Sequence, residues 1–261
     1  MASRGCRGAP MMQIPPITFA TRFRGFLPVV IDVETGGFNS QTDALLEIAA
    51  VFIEMRSDGS LTRGETIRYH VAPFPGANME AASLAVNGID PHHPLRPAIP
   101  EEDALQRIFR EVRNAIRAAE CTRAVLVGHN AFFDLNFLNA AVARAQVKRN
   151  PFHPFSSFDT ATLGGVAFGQ TVLMRATLAA GLEWDTGSAH SAAYDAERTA
   201  DLFCTVCNQF QAVFDASRRR LAAMGPLEIE PSGSDEPSAS GDHPALGDPS
   251  PPDDPSALGD P

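Results

Sequence analysis

A short apolar run that ends in two acidic residues constrains this chain more than any other feature of its sequence. Leu27 to Ile31 is a strand-length apolar stretch, and Asp32 and Glu34 follow it two positions apart. Side chains two apart in a strand point to the same side of a sheet, so both carboxylates face one side. Two such carboxylates repel each other unless a cation joins them, and hard oxygen ligands suit Mg²⁺ or Mn²⁺. Taken alone, the pair is more often two solvated acids at a strand terminus.

A second acidic motif follows a second apolar run. Ala124 to Val127 is typical of a buried strand, and the stretch from His129 to Asp134 comes directly after it. A loop that leaves a strand is where α/β proteins expose functional groups. Asp134 is predicted in the first turn of the next helix, where the helix dipole alone also favours an acid. His129 is better explained by a hydrogen bond within its own turn than as a metal ligand.

A third acidic motif lies near the start of a later helical pattern. His190 and Asp195 are five residues apart, about 500° of helical rotation, so one helix would direct them to different faces. We therefore expect His190 in the loop before the helix and Asp195 in an early turn. A surface histidine followed by an ordinary helix acid is the alternative. Gly181, Gly187 and Ser188 make the preceding loop potentially mobile.

The remaining patterns indicate an α/β protein with a mixed β-sheet flanked by helices, because strands come first and helices then alternate with strands. Beyond the two apolar runs above, the predicted elements are strands at Ala44–Met55 and Ile67–Val71 and helices at Ala104–Arg117, Phe132–Ala145 and Tyr194–Phe214.

Charge and composition divide the chain into three parts. Residues 226–261 hold nine acidic residues and no Lys or Arg, so this tail carries nearly all of the formal charge of -10 and leaves the body near neutral. Its Pro, Ser, Gly and Asp cannot bury enough apolar surface to fold, and we expect disorder. Residues 1–20 are predicted to be a flexible extension, and 21–225 one domain. A near-neutral body can still carry a basic face for nucleic acid.

No segment approaches the roughly 18 consecutive apolar residues that a membrane span needs. Cys204 and Cys207 lie inside an apolar helical pattern, without a second pair at zinc spacing, and are predicted to be buried thiols. We expect a cytoplasmic protein without a membrane partner.

Together, the three acidic motifs resemble those of the DEDDh exonucleases, in the same order. The stretches that carry the resemblance most closely are similar to the ribonuclease T family; they are residues 25–35, 42–50, 148–155 and 189–192. The resemblance covers about 20–225, the whole predicted domain.

That resemblance implies a ribonuclease-H-like sheet and a Mg²⁺-dependent 3′→5′ exoribonuclease that trims single-stranded 3′ ends of tRNA and other stable RNAs. Two Mg²⁺ ions, with Mn²⁺ as a possible substitute, would be held by Asp32, Glu34, Asp134 and Asp195, with Asp32 bridging them. His190 would act as the general base, since an imidazole titrates near neutral pH. The products would be 5′-mononucleotides.

Aromatic side chains are the expected grip on a single strand, because every base has a face on which to stack. Phe38, Phe133 and Phe155 match stacking positions of the family, although with 17 Phe in the chain hydrophobic packing is the alternative. The family has Phe where Val86 stands and an acidic residue where Ala82 stands. We therefore expect altered discrimination among 3′-terminal bases.

Basic residues match a family patch that serves the active site of the partner subunit in a homodimer. These residues are Arg22, Arg24, Arg123, Lys148 and Arg149. Two alternatives stay open at this point. One is a DNA-directed 3′→5′ exonuclease of repair acting on single-stranded DNA, and the other is a catalytically silent nucleic-acid-binding module.

Overall fold

The structure, a computed structural model, describes residues 15–224 and contains five strands and eight helices there. The strands are β1 (Phe26–Thr35), β2 (Leu45–Met55), β3 (Leu61–His70), β4 (Arg123–Gly128) and β5 (Phe152–Asp159). The helices are α1 (Phe19–Arg22), α2 (Ala81–Asn87), α3 (Glu101–Ala118), α4 (Phe132–Arg144), α5 (Thr160–Phe168), α6 (Leu173–Ala179), α7 (Ala192–Gln209) and α8 (Gln211–Met224).

The strands form one mixed sheet in the order β3-β2-β1-β4-β5. The first three strands pair antiparallel, whereas β1, β4 and β5 run parallel. Helix α4 makes the crossover that parallel pairing of β4 and β5 requires. The mixed sheet with flanking helices that the sequence predicts is confirmed.

Alternation along β1 directs its side chains into two different cores. Val29, Ile31 and Val33 pack with helices α3 and α4 on one face. Val30 lies on the opposite face, in the core that contains Phe203 of α7. Asp32 and Glu34 continue the Val30 side, so both acids lie on the α7 face. Phe203 is 1% exposed, and its replacement by Ala would cost about 3–5 kcal/mol.

The predicted helix Tyr194–Phe214 is wrong in one respect, because it is divided at Phe210 into α7 and α8. The guanidinium of Arg22 donates to the carbonyl oxygen of Cys207 at 2.7 Å and to Gln211 Oε1 at 2.7 Å, one residue on each side of the break. A cation in contact with the last carbonyls of a helix favours its end there. The apolar pattern alone does not show this long-range contact.

Other elements differ from the predicted ones in extent. Strand β3 begins at Leu61, earlier than predicted, and β5 was not predicted at all. Helix α1 begins at Phe19, inside the predicted extension, and Phe19 packs against both cores. The predictions for residues 1–14 and for the tail 226–261 lie outside the described residues.

No helix within residues 15–224 is both long enough and apolar enough to cross a membrane. Burial raises the pKa of Cys204 to about 12 and that of Cys207 to about 11. Both thiols therefore stay protonated, in agreement with the predicted packing role.

Candidate active site

Asp32 and Glu34 begin the site at the carboxyl end of β1, half-buried on the α7 face. Burial raises the pKa of Asp32 well above its ordinary value, and the carboxylates of Asp134, Asp195 and Glu34 raise it further. Burial and the nearby charges of Asp195 and Glu47 raise the pKa of Glu34 to about 8. Acids from separate parts of the chain therefore repel one another here.

Asp134 is brought to the same place by the turn between β4 and α4. It lies in the first turn of α4 and is 4% exposed. The backbone N–H of Val33 donates to its Oδ1 at 3.1 Å, which ties the helix start to β1. A Cβ at Gly128 would lie 2.9 Å from Asp134 Oδ2, so only glycine leaves room for the carboxylate there. Burial raises the pKa of Asp134, and the Val33 hydrogen bond partly opposes that shift.

Asp195 and His190 stand at the start of α7 as the sequence predicts, with Asp195 in the first turn and His190 in the preceding loop. The backbone N–H of His190 donates to Asp195 Oδ2 at 3.2 Å. The other oxygen of Asp195 is buried and has no hydrogen-bond partner in the described part of the chain. His190 is exposed and has φ 64°, a left-handed conformation. Burial raises the pKa of Asp195, against the opposing effect of His190.

Glu47 is an acid of this region that sequence reasoning missed. It pairs in register with Glu34, and only 4% of it is exposed. Its Oε1 has no hydrogen-bond partner between residues 15 and 224, although Arg68 Nη1 lies 3.6 Å away. The signal in the sequence was a Glu flanked on both sides by the apolar residues of β2, far from the strand's other Glu at position 54. An acid at that position is costly to bury unless it has a partner.

These carboxylates fit a hard divalent cation by their chemistry. They are oxygen donors, their charges act on one another, and among residues 15–224 one oxygen of Asp195 is buried without a hydrogen-bond partner. In the part of the chain that the structure describes, no three carboxylate, imidazole or thiol groups already stand at metal-binding distances. The argument for a divalent cation therefore rests on the type of ligand atoms and on the mutual repulsion of the carboxylates. It does not rest on ligands already placed at metal-binding distances.

His129 takes no part in this cluster. Its two ring nitrogens lie 3.0 Å from Thr160 Oγ1 and 2.8 Å from the carbonyl oxygen of Thr171. Burial lowers its pKa. The predicted hydrogen bond within its own turn is therefore wrong, because both partners of the imidazole are more than 30 residues away in the chain. The imidazole instead ties the turn before Asp134 to α5 and to the loop after it.

Two aromatic side chains, Phe38 and Phe133, lie beside the acids. Phe38 is 81% exposed in the loop after β1, and its ring centroid lies 6.2 Å from that of Phe133, directly before Asp134. Val86 and Ala82 are exposed on the short helix α2. The structure thus brings Phe38 and Phe133 together, with two further predicted positions on a neighbouring element.

Phe155 belongs to a different cluster. It is 76% exposed, and its ring meets the His153 ring edge-on at 4.5 Å. His153 in turn meets Phe26 at 5.6 Å, at the start of β1. Burial lowers the pKa of His153, and the charges of Arg123 and Arg24 lower it further. Phe155 therefore lies with basic residues.

This basic-aromatic patch, formed by Arg24, Phe26, Arg123, His153 and Phe155, is at the end of the sheet opposite to the acids. Phe26 and Arg123 are register partners at the starts of the parallel strands β1 and β4. Eight residues of strand separate Phe26 from Glu34, which corresponds to roughly 25 Å.

The remaining predicted basic residues have two kinds of surroundings. Lys148 and Arg149 are exposed in the loop before β5, and the Arg149 carbonyl accepts a hydrogen bond from Arg113 at 3.2 Å. Arg22 instead makes three hydrogen bonds within the chain, to Gly59, Cys207 and Gln211. The structure gives Arg22 an internal role that its position in the sequence did not suggest.

Comparisons with known proteins agree with this geometry. A family model described as the RNase_T exonuclease matches residues 29–203. Ribonuclease T of Marinobacter nauticus is 58% identical over 215 residues, which cover 82% of this chain and 94% of that protein.

Solved structures show the fold. E. coli exonuclease I in complex with a dT13 oligonucleotide matches at 18% identity and a TM-score of 0.55, over 76% of this chain. The chain spans less than half (45%) of that longer enzyme. A full-length 3′-exonuclease matches at 15% identity and a TM-score of 0.54, over 70% of this chain and 83% of its own. The family resemblance and the fold predicted from the sequence are confirmed, and this chain belongs to the ribonuclease T family of exonucleases.

Proposed function

We propose that this enzyme removes nucleotides from the single-stranded 3′ ends of tRNA and other stable RNAs in the cytoplasm and releases 5′-mononucleotides. The observation that carries the proposal is the convergence of Asp32, Glu34, Asp134 and Asp195, which come from three segments and whose charges raise the pKa of Asp32 and Glu34. The similarity to a protein named ribonuclease T favours RNA as the substrate.

The proposed cofactor is a pair of Mg²⁺ ions held by these four acids, with Mn²⁺ as a substitute. Bound divalent ions stabilise the attacking and leaving oxygens of a displacement at phosphorus. The protein supplies the negative charge that would attract the ions, and its backbone holds the four carboxylates in position. Asp134 is held by the Val33 N–H and Asp195 by the His190 N–H. Strand β1 holds the other two, Asp32 and Glu34, on one face.

His190 is proposed as the general base. Its ring is exposed at the mouth of the acidic cluster, and its own backbone N–H is bonded to Asp195. A proton taken from the attacking water can therefore pass from the imidazole to solvent. The Asp195 contact fixes the backbone of His190 next to an acid of the site, which a free loop would not do.

Phe38 and Phe133 are proposed to stack on the terminal bases, with Val86 and Ala82 shaping the pocket for the last one. The exposure of the Phe38 ring supports this, together with its contact with Phe133, which is half-buried against the core and directly precedes Asp134. Stacking holds any base, which suits a trimming enzyme.

The basic-aromatic patch, together with Lys148 and Arg149, is proposed to bind the RNA of a partner subunit in a homodimer. Its distance of roughly 25 Å from the acids along the sheet supports action in trans. Phosphate contacts of this kind weaken steeply with salt. Arg22 is proposed to contribute through α1 and the α7–α8 junction, because its guanidinium already has three acceptors.

A mixing experiment tests the dimer. Asp32→Asn disables the acidic site but leaves the basic-aromatic patch intact. Arg123→Glu disables the patch but leaves the acidic site intact. Mixed subunits should regain part of the activity that each variant lacks alone. Absence of any recovery, with mixed dimers demonstrated by mass spectrometry, would exclude action in trans.

One digestion series tests the function. The protein with Mg²⁺ is incubated with a tRNA carrying extra 3′ residues, a single-stranded DNA oligomer, a dinucleotide and a blunt duplex, and Asp134→Ala serves as the inactive control. We expect mononucleotides released fastest from the tRNA tail. Faster digestion of the DNA would favour the repair exonuclease, and binding without Mg²⁺-dependent release would show a silent module.

A further inference from the structure

A buried carboxylate beneath the Phe38 loop, defined as residues 36–43, has no role in the site as described so far. Asp43 is 2% exposed, and its oxygens contact donors only. Oδ2 accepts from the backbone N–H of Asn39 at 2.9 Å. Oδ1 accepts from the hydroxyl of Thr42 at 2.8 Å and from the side-chain amide of Asn78 at 3.0 Å. This acid joins two segments that are 35 residues apart.

The joint connects the Phe38 loop to helix α2. Asn78 leads into α2, and its backbone N–H donates to the Thr42 carbonyl at 2.8 Å. The Glu80 N–H at the helix start donates to the Gly36 carbonyl at 2.6 Å. At the far end of α2, the amide of Asn87 donates to the Thr35 carbonyl at 3.1 Å. Hydrogen bonds therefore connect both ends of helix α2 to the strand end and loop at residues 35–43, and Asp43 lies next to the N-terminal connection.

The loop is packed directly onto this carboxylate. A Cβ at Gly37 would lie 2.0 Å from Asp43 Oδ2, and one at Gly36 would lie 2.8 Å from the Asn78 carbonyl oxygen. Phe38, which follows these glycines, is thus held by a backbone that has no space to shift toward Asp43. Burial alone would raise the pKa of Asp43, but the hydrogen bonds from Asn39, Asn78 and Thr42 lower it overall.

We propose that Asp43 is a positioning residue that fixes the spacing between Phe38 and Val86, and through that spacing sets which 3′-terminal bases the enzyme accepts. The inference rests on the proposed function, in which Phe38 stacks on a terminal base and Val86 and Ala82 line its pocket. Asp43 itself touches no substrate. It acts by holding the two walls of the pocket as one unit.

The sharpest test is Asp43→Asn, which keeps the volume but replaces one acceptor oxygen with an NH₂ group. The new NH₂ group would face either the Asn39 N–H, which can only donate, or the Thr42 hydroxyl and Asn78 amide, which would have to turn and accept. Either change weakens the joint. Asp58→Asn is the matched control, because Asp58 also accepts bonds from Ser60 but lies exposed in the β2–β3 turn. Asn78→Ala is a second variant that removes one donor without disturbing the buried charge.

The readouts are the ratio of kcat/KM for RNAs ending in A or C, the KM and kcat of each, and the fluorescence of a 3′-terminal 2-aminopurine bound with Ca²⁺. We expect Asp43→Asn and Asn78→Ala to raise KM about tenfold, the loss of one modest stacking contact. The A-to-C ratio should change and the 2-aminopurine quenching should fall, with kcat nearly constant. Asp58→Asn should match the unaltered enzyme in all of them.

An unchanged ratio and unchanged quenching in folded Asp43→Asn and Asn78→Ala would overturn the inference. Thermal melting shows whether each variant folds, and Asn78→Ala carries the test if Asp43→Asn does not. Phe38→Ala in the same assays separates the two levels. If Phe38→Ala has no effect, the proposed stacking of Phe38 on the 3′-terminal base is wrong. If Phe38→Ala has an effect and the Asp43 and Asn78 variants have none, only the proposed role of Asp43 is wrong.

Discussion

Two groups of acids in this molecule, one buried and the other buried or half-buried, have opposite surroundings. Asp43 and Glu101 are 2% and 7% exposed, and each has donors on both oxygens. Asp134 is as buried, at 4%, yet it lies with Asp32 and Asp195 among other carboxylates. The hydrogen bonds of Asp43 lower its pKa against burial, whereas burial and like charges raise that of Asp32.

The difference shows that burial does not by itself decide what an acid does. A buried carboxylate with donors on both oxygens stabilises the fold whether or not a ligand is present. A group of buried carboxylates without such partners destabilises the fold until a cation binds. The paired acids therefore mark structural joints, and the unpaired ones mark the proposed metal site.

Replacement of an unpaired acid should have the largest effect of all. Asp32→Asn keeps the shape of the side chain and removes its charge, so activity should fall by about 10³-fold or more, equivalent to several kcal/mol of lost metal-ion stabilisation. The melting temperature in EDTA should stay the same or rise, because repulsion is relieved. A steady-state assay and a thermal melt measure both. A clear loss of stability in EDTA would place Asp32 with the paired acids.

Replacement of a paired group should instead affect stability. Arg144 donates to Glu101 at 2.7 and 3.0 Å, donates to the Ser40 carbonyl at 3.2 Å, and covers the Phe74 ring at 4.0 Å. Arg144→Met should lower the free energy of unfolding by about 3 kcal/mol, since Glu101 loses its partner. Urea denaturation measures this, with Arg110→Met on the exposed face of α3 as the control. Equal stability of the two variants would contradict the prediction.

Removal of an exposed ring should change binding alone. Phe38→Ala deletes a side chain that is 81% exposed, so its stability should be unaltered. Binding of a single-stranded 3′ end should weaken by about 1–3 kcal/mol through the lost stacking contact. Fluorescence anisotropy with labelled RNA in Ca²⁺ measures the affinity. Weakening of the same size in Phe132→Ala, which removes another exposed ring (75%), would show a general surface effect.

The smallest predicted effect is a pH dependence of the metal-free protein. The pKa of Glu34 rises from 4.5 unfolded to about 8 folded, so the folded state binds more protons between these values. The contribution of Glu34 to the free energy of unfolding is therefore complete below pH 4.5 and is lost as the pH rises through about 8. Stability in EDTA should therefore fall by about 1 kcal/mol or more from pH 6 to pH 8.5. Glu34→Gln should flatten that slope, as should Mg²⁺, which binds the ionised form.

Local signals in the sequence predicted much of this arrangement. The end of an apolar run placed Asp32 and Glu34, a strand followed by a helix placed Asp134, and a five-residue interval placed His190 before α7. Each of these inferences needs only the geometry of one element. The mixed sheet followed from the order of strands and helices.

Features that depend on distant partners could not be predicted. Strand β5 was missed because it contains Pro154 and several polar residues, which only an edge strand tolerates. The break at Phe210 depends on Arg22, 189 residues before Gln211 in the chain. The joint at Asp43 depends on Asn78, and the burial of Glu47 depends on its pairing with Glu34. Nothing within a few residues of these positions shows the partner.

A titration with Mn²⁺ tests the distinction between the two groups of acids most directly. Electron paramagnetic resonance counts the bound ions in the unaltered protein, in Asp32→Asn and in Glu101→Gln, with a single-stranded oligonucleotide present. We predict two bound Mn²⁺ ions in the unaltered protein and in Glu101→Gln. The affinity of Asp32→Asn for Mn²⁺ should be at least tenfold weaker. Equal Mn²⁺ binding by Asp32→Asn and the unaltered protein would contradict the proposed metal site.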